Sequence, residues 1–61
     1  MGKRQVFYDD SGKELASYVM ENGDLYLEIK GEDNVKQSII LKKIDAVLFI
    51  MDLYRMRKRL E

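Results

Sequence analysis

The chain has 61 residues, with eleven Lys or Arg, eleven Asp or Glu, and no histidine, cysteine or proline. This length permits one domain, 1–61, and such a short chain buries only roughly 60% of the surface that it exposes when unfolded. Disulfides are excluded without cysteine, and the usual zinc ligands are missing without cysteine and histidine. A partner subunit is the remaining support for a small core, so we expect an obligate dimer or a larger assembly.

The composition also indicates a compartment. No charged and then apolar leader opens the chain, and a secreted domain of this size would normally carry disulfides. We therefore expect a cytoplasmic protein. The longest apolar run, Ala46 to Met51, has six residues, whereas a membrane span needs about 20. We expect no membrane partner.

The first two-thirds of the chain alternates between apolar and polar residues, which predicts strands. Asp10-Ser11-Gly12 predicts a three-residue loop after strand one, with Val6 opposite Ala16 and Phe7 opposite Leu15.

Asn22-Gly23 predicts a two-residue loop between strands two and three. That register places Ala16 opposite Ile29 on a core face and Val19 opposite Tyr26 on the other face.

An acidic turn, 31–34, precedes a predicted fourth strand from Val35 to Leu41, whose Val35, Ile39 and Leu41 face the core with Gln37. Ile44 to Leu60 then has helical spacing. The predicted fold is α+β, a four-stranded antiparallel sheet with β-β-β-β-α order and the C-terminal helix packed across one face.

The predicted helix is apolar around most of its circumference, because its polar residues cluster in one stripe that includes Asp45, Asp52, Arg55 and Arg59. One sheet cannot cover so wide an apolar surface, so the excess is available to a second subunit. The residues that we assign to an oligomer interface are Ala46, Phe49, Ile50, Leu53 and Met56.

The inventory of chemical groups does not favour catalysis. No histidine or cysteine is present to act as base or nucleophile, and the glycines do not form a phosphate-binding loop. Two acidic groups could hold a hard cation, but they lack the ligand spacing of an EF-hand loop. The first is Asp9, Asp10 and Glu14, and the second is Glu32 with Asp33. We expect solvated turn residues, no catalytic residue, no metal, no cofactor and no small-molecule substrate.

Two features favour nucleic acid. The predicted outward sheet face combines aromatic rings with lysines, which is typical of proteins that stack single-stranded bases, and the helix ends in a basic cluster. The opposing interpretations are that the apolar residues of this face pack on a second subunit and that the cluster is solvated charge. The candidate nucleic-acid-binding residues are Lys3, Phe7, Tyr26, Lys30, Lys36, Arg55, Arg57, Lys58 and Arg59.

This layout resembles the single-stranded-DNA-binding domain of the transcriptional coactivator positive cofactor four and its small bacterial relatives. The resemblance rests on Gly12-Lys13-Glu14-Leu15 at the first hairpin, an acidic third hairpin, and Ile39-Ile40-Leu41 before the helix. The family's Lys-Gly pair before the final strand is Lys36-Gln37 here, and Ala46 stands in place of an aromatic residue. The resemblance implies a homodimer joined partly through the helices, with a concave sheet surface that receives the DNA strand.

The sequence thus leads to a small, non-enzymatic, homo-oligomeric binding protein whose ligand is single-stranded nucleic acid. The alternative is a protein-interaction or regulatory accessory module, in which the same apolar surface is an interface with another protein.

Overall fold

The computed structural model describes residues 3–61 and has the predicted α+β architecture, an antiparallel sheet followed by one helix. The strands are arranged in chain order, so each pairs with the next through a short hairpin. Residues 1 and 2 of the predicted domain lie outside the described residues. The elements are β1 (Gln5–Tyr8), β2 (Glu14–Val19), β3 (Leu25–Lys30), β4 (Lys36–Leu41) and α1 (Lys43–Leu60).

The three hairpins share one loop geometry. In the first, the Gly12 N–H donates to the Asp9 carbonyl at 3.1 Å and Gly12 has φ +86°, which confirms the predicted three-residue loop. Gly23 and Asn34 occupy the same third loop position in the second and third hairpins, with φ values of +91° and +63°. The residues that tolerate a positive φ therefore set the loop length in all three hairpins.

The predicted two-residue loop between β2 and β3 is wrong. The Met20 N–H donates to the Asp24 carbonyl at 2.8 Å, so Met20 and Asp24 enclose a loop of three residues. Only Gly23 in this loop has a positive φ; Asn22 instead uses its side chain, whose Oδ1 accepts from the Asp24 N–H at 2.9 Å. Ala16 consequently pairs with Glu28 rather than Ile29.

Because the β2–β3 register differs by one residue from the prediction, the β1–β2 residues of each predicted face join the β3–β4 residues of the other. The β1–β2 pairs Val6 with Ala16 and Phe7 with Leu15 are confirmed, and Ile39 and Leu41 share a face with Ile29 as predicted. Val35, which was predicted to face the core, precedes β4 and is exposed. The error in the sheet lies only in the pairing of β2 with β3.

Side chains of alternate strand residues divide the sheet into two faces. We call the first the neutral face, and its strand residues are Gln5, Phe7, Leu15, Ser17, Val19, Leu25, Leu27, Ile29, Gln37, Ile39 and Leu41. We call the second the charged face, and its strand residues are Val6, Tyr8, Glu14, Ala16, Tyr18, Tyr26, Glu28, Lys30, Lys36, Ser38 and Ile40.

The start of α1 is fixed by the second hairpin. Lys42 alone separates β4 from α1, and its side chain forms no capping hydrogen bond. The cap comes from Asp24, whose Oδ1 accepts from the Lys43 N–H at 3.0 Å. Asp24 also accepts a bond from the Asn22 side chain at 3.1 Å, so one carboxylate ties the loop to the helix start.

The prediction that the helix packs across the sheet is wrong for the single chain. The contacts of α1 with the sheet are concentrated on β4, and the chain measures 33 × 32 × 17 Å. Its radius of gyration is 12.7 Å, against about 10.5 Å for a compact domain of this length. The single-residue connection and the Asp24 cap direct α1 away from the sheet, because they fix its first turn at the sheet's end.

The described residues have a very small core. Its buried hydrophobic residues are Ala16, Leu25 and Ala46, of which Ala46 lies in the second turn of α1. Within residues 3–61, no helix combines the length and apolar character needed to span a membrane.

Candidate functional site

The neutral face is an uncovered apolar surface. Eight of its eleven strand residues are apolar, and the other three are the uncharged Gln5, Ser17 and Gln37. Five of the apolar residues are exposed, namely Phe7, Leu15, Val19, Ile29 and Ile39. A soluble monomer rarely leaves so large an apolar patch in water, so this surface is a candidate interface.

A depression lies on the neutral face, with a volume of about 290 Å³. Its apolar walls come from Leu15 on β2, Leu27 and Ile29 on β3, and Ile39 on β4. The shape and chemistry of this depression suit an apolar side chain from a partner surface.

The helix is a second uncovered apolar surface. Of the predicted interface residues, Phe49, Ile50, Leu53 and Met56 are exposed, whereas Ala46 is only 5% exposed because it is covered within its own chain. A helix that is apolar on most sides is normally buried, so the exposed surface of α1 is a second candidate interface.

The charged face carries a hydrogen-bonded network around a buried carboxylate. Glu28 is 9% exposed; its Oε2 accepts from Arg4 at 3.4 Å and its Oε1 accepts from the Tyr26 hydroxyl at 3.0 Å. Arg4 also donates to Glu14 at 3.1 Å, and the Lys30 ammonium lies 3.9 Å from Glu14. These contacts balance the acidic groups at the centre of this face.

Three of the four tyrosines of the chain lie on the charged face. The rings of Tyr18 and Tyr26, which pair across β2 and β3, are 4.9 Å apart between centroids with an interplanar angle of 31°. Tyr8 is exposed near the β1 edge, and Lys36 is exposed on β4. Aromatic rings and cations therefore share one side of the sheet.

The structure divides the predicted nucleic-acid-binding residues of the sheet between two faces. Tyr26, Lys30 and Lys36 lie on the charged face, whereas Phe7 lies on the neutral face. Lys3 is exposed and precedes β1. A single sheet surface containing both Phe7 and Tyr26 is excluded, because the true β2–β3 register places them on opposite sides.

The basic cluster of the helix lies in its last turns, away from the junction with the sheet. Arg55 pairs with Asp52 at 3.1 Å, and Arg57 pairs with Glu61 at 2.9 Å. Since successive helical residues turn by about 100°, Arg57 lies on the opposite side of α1 from Arg55 and Arg59. The four cations Arg55, Arg57, Lys58 and Arg59 are all exposed, and they surround the helix end rather than form one stripe.

The acidic residues of the first turn shape the backbone. Asp9 Oδ1 accepts from the Ser11 hydroxyl at 2.8 Å and from the Ser11 and Lys13 N–H groups at 2.9 and 2.8 Å. These bonds, the Ser11 hydroxyl foremost, hold the pKa of Asp9 below its usual value. In residues 3–61, no three acidic side chains come close enough to form a cation site.

The sequence analysis did not predict the neutral face, although the positions of the charged strand residues indicate it. The charged strand residues Glu14, Glu28, Lys30 and Lys36 all have even numbers, and three-residue loops pair even-numbered residues with one another. A loop of two residues would have mixed these charges with the apolar set, so the segregation of charge favours the longer loop. The Asp24 cap has no comparable signal, since it joins residues nineteen positions apart.

Comparisons with protein-family models, with curated proteins and with solved structures found no match to this chain.

Proposed function

We propose that this chain is a non-enzymatic, self-associating binding module that works as a homodimer or a larger assembly of identical copies. The neutral face carries this proposal, since its strand residues hold no charge and its apolar side chains remain exposed in the single chain. Burial of apolar surface drives association, and an uncharged surface incurs no cost for desolvating ions.

Two neighbouring isoleucines provide a matched test. Ile39 and Ile40 are consecutive in β4 and are 56% and 52% exposed, but they lie on the neutral and the charged face respectively. Ile39→Glu places a charge in the proposed interface and is expected to reduce the molar mass measured by light scattering to that of one chain. Ile40→Glu adds the same charge outside it and is expected to leave the mass unchanged. Equal effects from the two substitutions would reject the neutral face as the interface.

A second candidate function is the binding of single-stranded nucleic acid on the charged face. The grouping of Tyr8, Tyr18 and Tyr26 with Arg4, Lys30 and Lys36 favours it, because single-strand binders combine stacking rings with cations. Glu28 is withdrawn from solvent by its bonds to Arg4 and Tyr26, which lessens its repulsion of phosphates. The resemblance to the positive cofactor four domain motivates the same ligand.

Two neighbouring residues of β1 provide a matched test of single-strand binding. Tyr8 and Phe7 are 68% and 64% exposed on opposite faces of β1. Tyr8→Ala is expected to weaken single-strand binding by roughly 1–3 kcal/mol, whereas Phe7→Ala should not remove a stacking contact. Fluorescence anisotropy with labelled single-stranded and duplex oligonucleotides at two salt concentrations measures the effect. Absence of binding at low salt would reject this function and leave a protein-interaction module.

A further inference from the structure

The accessible surface of the chain is too large for a compact monomer. It measures 5443 Å², whereas a compact protein of 7.2 kDa exposes about 4,100 Å². The excess is roughly 1,300 Å² per chain, so two chains that buried it would form an interface of roughly 2,600 Å² in total. That area falls in the range of obligate homodimers, about 2,000–5,000 Å².

Two separate surfaces carry most of the exposed apolar residues, the neutral face and α1. Exposed on α1 are Ile44, Val47, Leu48, Phe49, Ile50, Met51, Leu53, Tyr54, Met56 and Leu60. The chain does not bring the two surfaces together, because Lys42 is the whole connection and the Asp24 bond to Lys43 fixes the first helical turn. Within residues 3–61, the two surfaces therefore do not cover each other.

A second copy can cover these surfaces in three ways. If the neutral faces packed on each other, both helices would remain in water. If the helices packed only on each other, both neutral faces would remain in water. A reciprocal contact, in which each helix lies on the other copy's sheet, buries the neutral face and one side of the helix in both copies through one two-fold arrangement.

The dimensions and charges of the two surfaces agree with this contact. The 18 residues of α1 extend for about 27 Å, and the longer strands, at six residues, extend for about 20 Å. Phe49, Leu53 and Met56 recur at the spacing of one helical face, and by their positions around the helix no charged residue lies among them. This apolar strip of the helix matches the neutral face, whose strand residues carry no charge.

We propose that the neutral face of each copy is covered by the Phe49, Leu53 and Met56 side of α1 from a second copy, in a reciprocal homodimer. This inference rests on the proposed self-association and specifies which surfaces meet. The depression between Leu15, Leu27, Ile29 and Ile39 then receives apolar side chains of the partner's helix.

Photo-crosslinking between isotopically distinct copies tests the contact. Benzoylphenylalanine replaces Ile39 in one preparation and Ile40 in the control, and each is refolded with ¹⁵N-labelled wild-type chain before irradiation. Trypsin separates the β4 peptide, residues 37–42, from the helix peptide, residues 44–55. Position 39 is expected to give light–heavy crosslinks to the helix peptide, and position 40 to give few. A third preparation carries the crosslinker in place of Met56 and is expected to label residues 14–30 or 37–42 of the other copy.

The outcomes separate this inference from the proposal on which it rests. A monomeric wild-type chain by light scattering overturns both. Three results in a dimer overturn the reciprocal contact alone. They are crosslinks only from sheet to sheet or from helix to helix, crosslinks to the helix only within one chain, and no crosslink from positions 39 and 56. Equal helix labelling from positions 39 and 40 overturns the assignment to the neutral face.

Discussion

Single residues at the loops determine how the strands and the helix are joined. Gly23 sets the length of the second loop by taking the left-handed conformation, and the next residue, Asp24, caps the helix. The carboxylate of Asp24 satisfies an N–H group that would otherwise lack a partner in the first turn of α1. Two neighbouring residues therefore fix both the register of the sheet and the origin of the helix.

Asp24→Ala is expected to lower the free energy of unfolding by about 1 kcal/mol, because the Lys43 N–H loses its acceptor. Asp24→Asn is the control, since an amide oxygen can replace Oδ1 at the helix start, and it should cost less. Chemical denaturation at one fixed protein concentration measures both. A loss as large for asparagine as for alanine would contradict the capping role.

The carboxylate of Asp9 should titrate below the usual range for aspartate. Its pKa is lowered first by the Ser11 hydroxyl and next by the Lys13 N–H, and these bonds exist only in the folded hairpin. Because the folded pKa is the lower one, ionised Asp9 stabilises the fold above its unfolded pKa, and this contribution is lost as the pH falls through the folded pKa.

Ser11→Ala is expected to raise the pKa of Asp9 toward its ordinary value. An NMR titration of the side-chain carboxyl carbon measures this pKa in both proteins. Identical titration curves would show that the Ser11 hydroxyl does not stabilise the ionised form.

Helix α1 has an apolar side and a second side on which charged residues are mixed with apolar ones. Leu53 lies on the apolar side with Phe49, whereas Leu48 lies on the polar side next to Asp45 and Asp52. The two leucines are 46% and 54% exposed, so they form a matched pair in the single chain.

Leu53→Glu is expected to dissociate the assembly, because it places an unpaired charge in the proposed interface. Leu48→Glu is expected to leave the assembly intact, since it adds the same charge on the polar side of α1, outside the proposed interface. Light scattering gives the molar mass, and circular dichroism checks that the helix remains. A folded oligomer after Leu53→Glu would argue against the helix interface.

The elements could be predicted from sequence because alternation and helical spacing are local patterns. The four strands, the helix near residues 43–60 and the first loop at Gly12 were all accessible in this way. The β2–β3 register was not, since Asn-Gly suits both a two-residue loop and a three-residue loop with glycine last. That single difference moved Phe7 and Tyr26 to opposite faces and divided the predicted binding surface.

The position of the helix relative to the sheet could not be predicted from the sequence either. Its spacing shows a wide apolar surface, but the Asp24 cap that directs its start depends on contacts formed only after the sheet has folded. The predicted interface residues Phe49, Ile50, Leu53 and Met56 remain exposed, whereas the burial of Ala46 depends on how α1 leaves the sheet.

For the whole molecule, the sheet separates two roles. The neutral face and α1 are the surfaces proposed for self-association, and the charged face is the surface proposed for single-stranded nucleic acid. A chain with so few buried residues has little stability of its own, so folding and assembly should be coupled. Its melting temperature is therefore expected to rise with protein concentration.

The molar mass of the wild-type protein in solution is the most direct test of self-association. Light scattering after size exclusion, repeated over a hundredfold range of concentration, gives this mass without any substitution. Self-association predicts a mass of at least twice the 7.2 kDa of one chain at the upper concentrations. A folded protein that remains at 7.2 kDa throughout would contradict it.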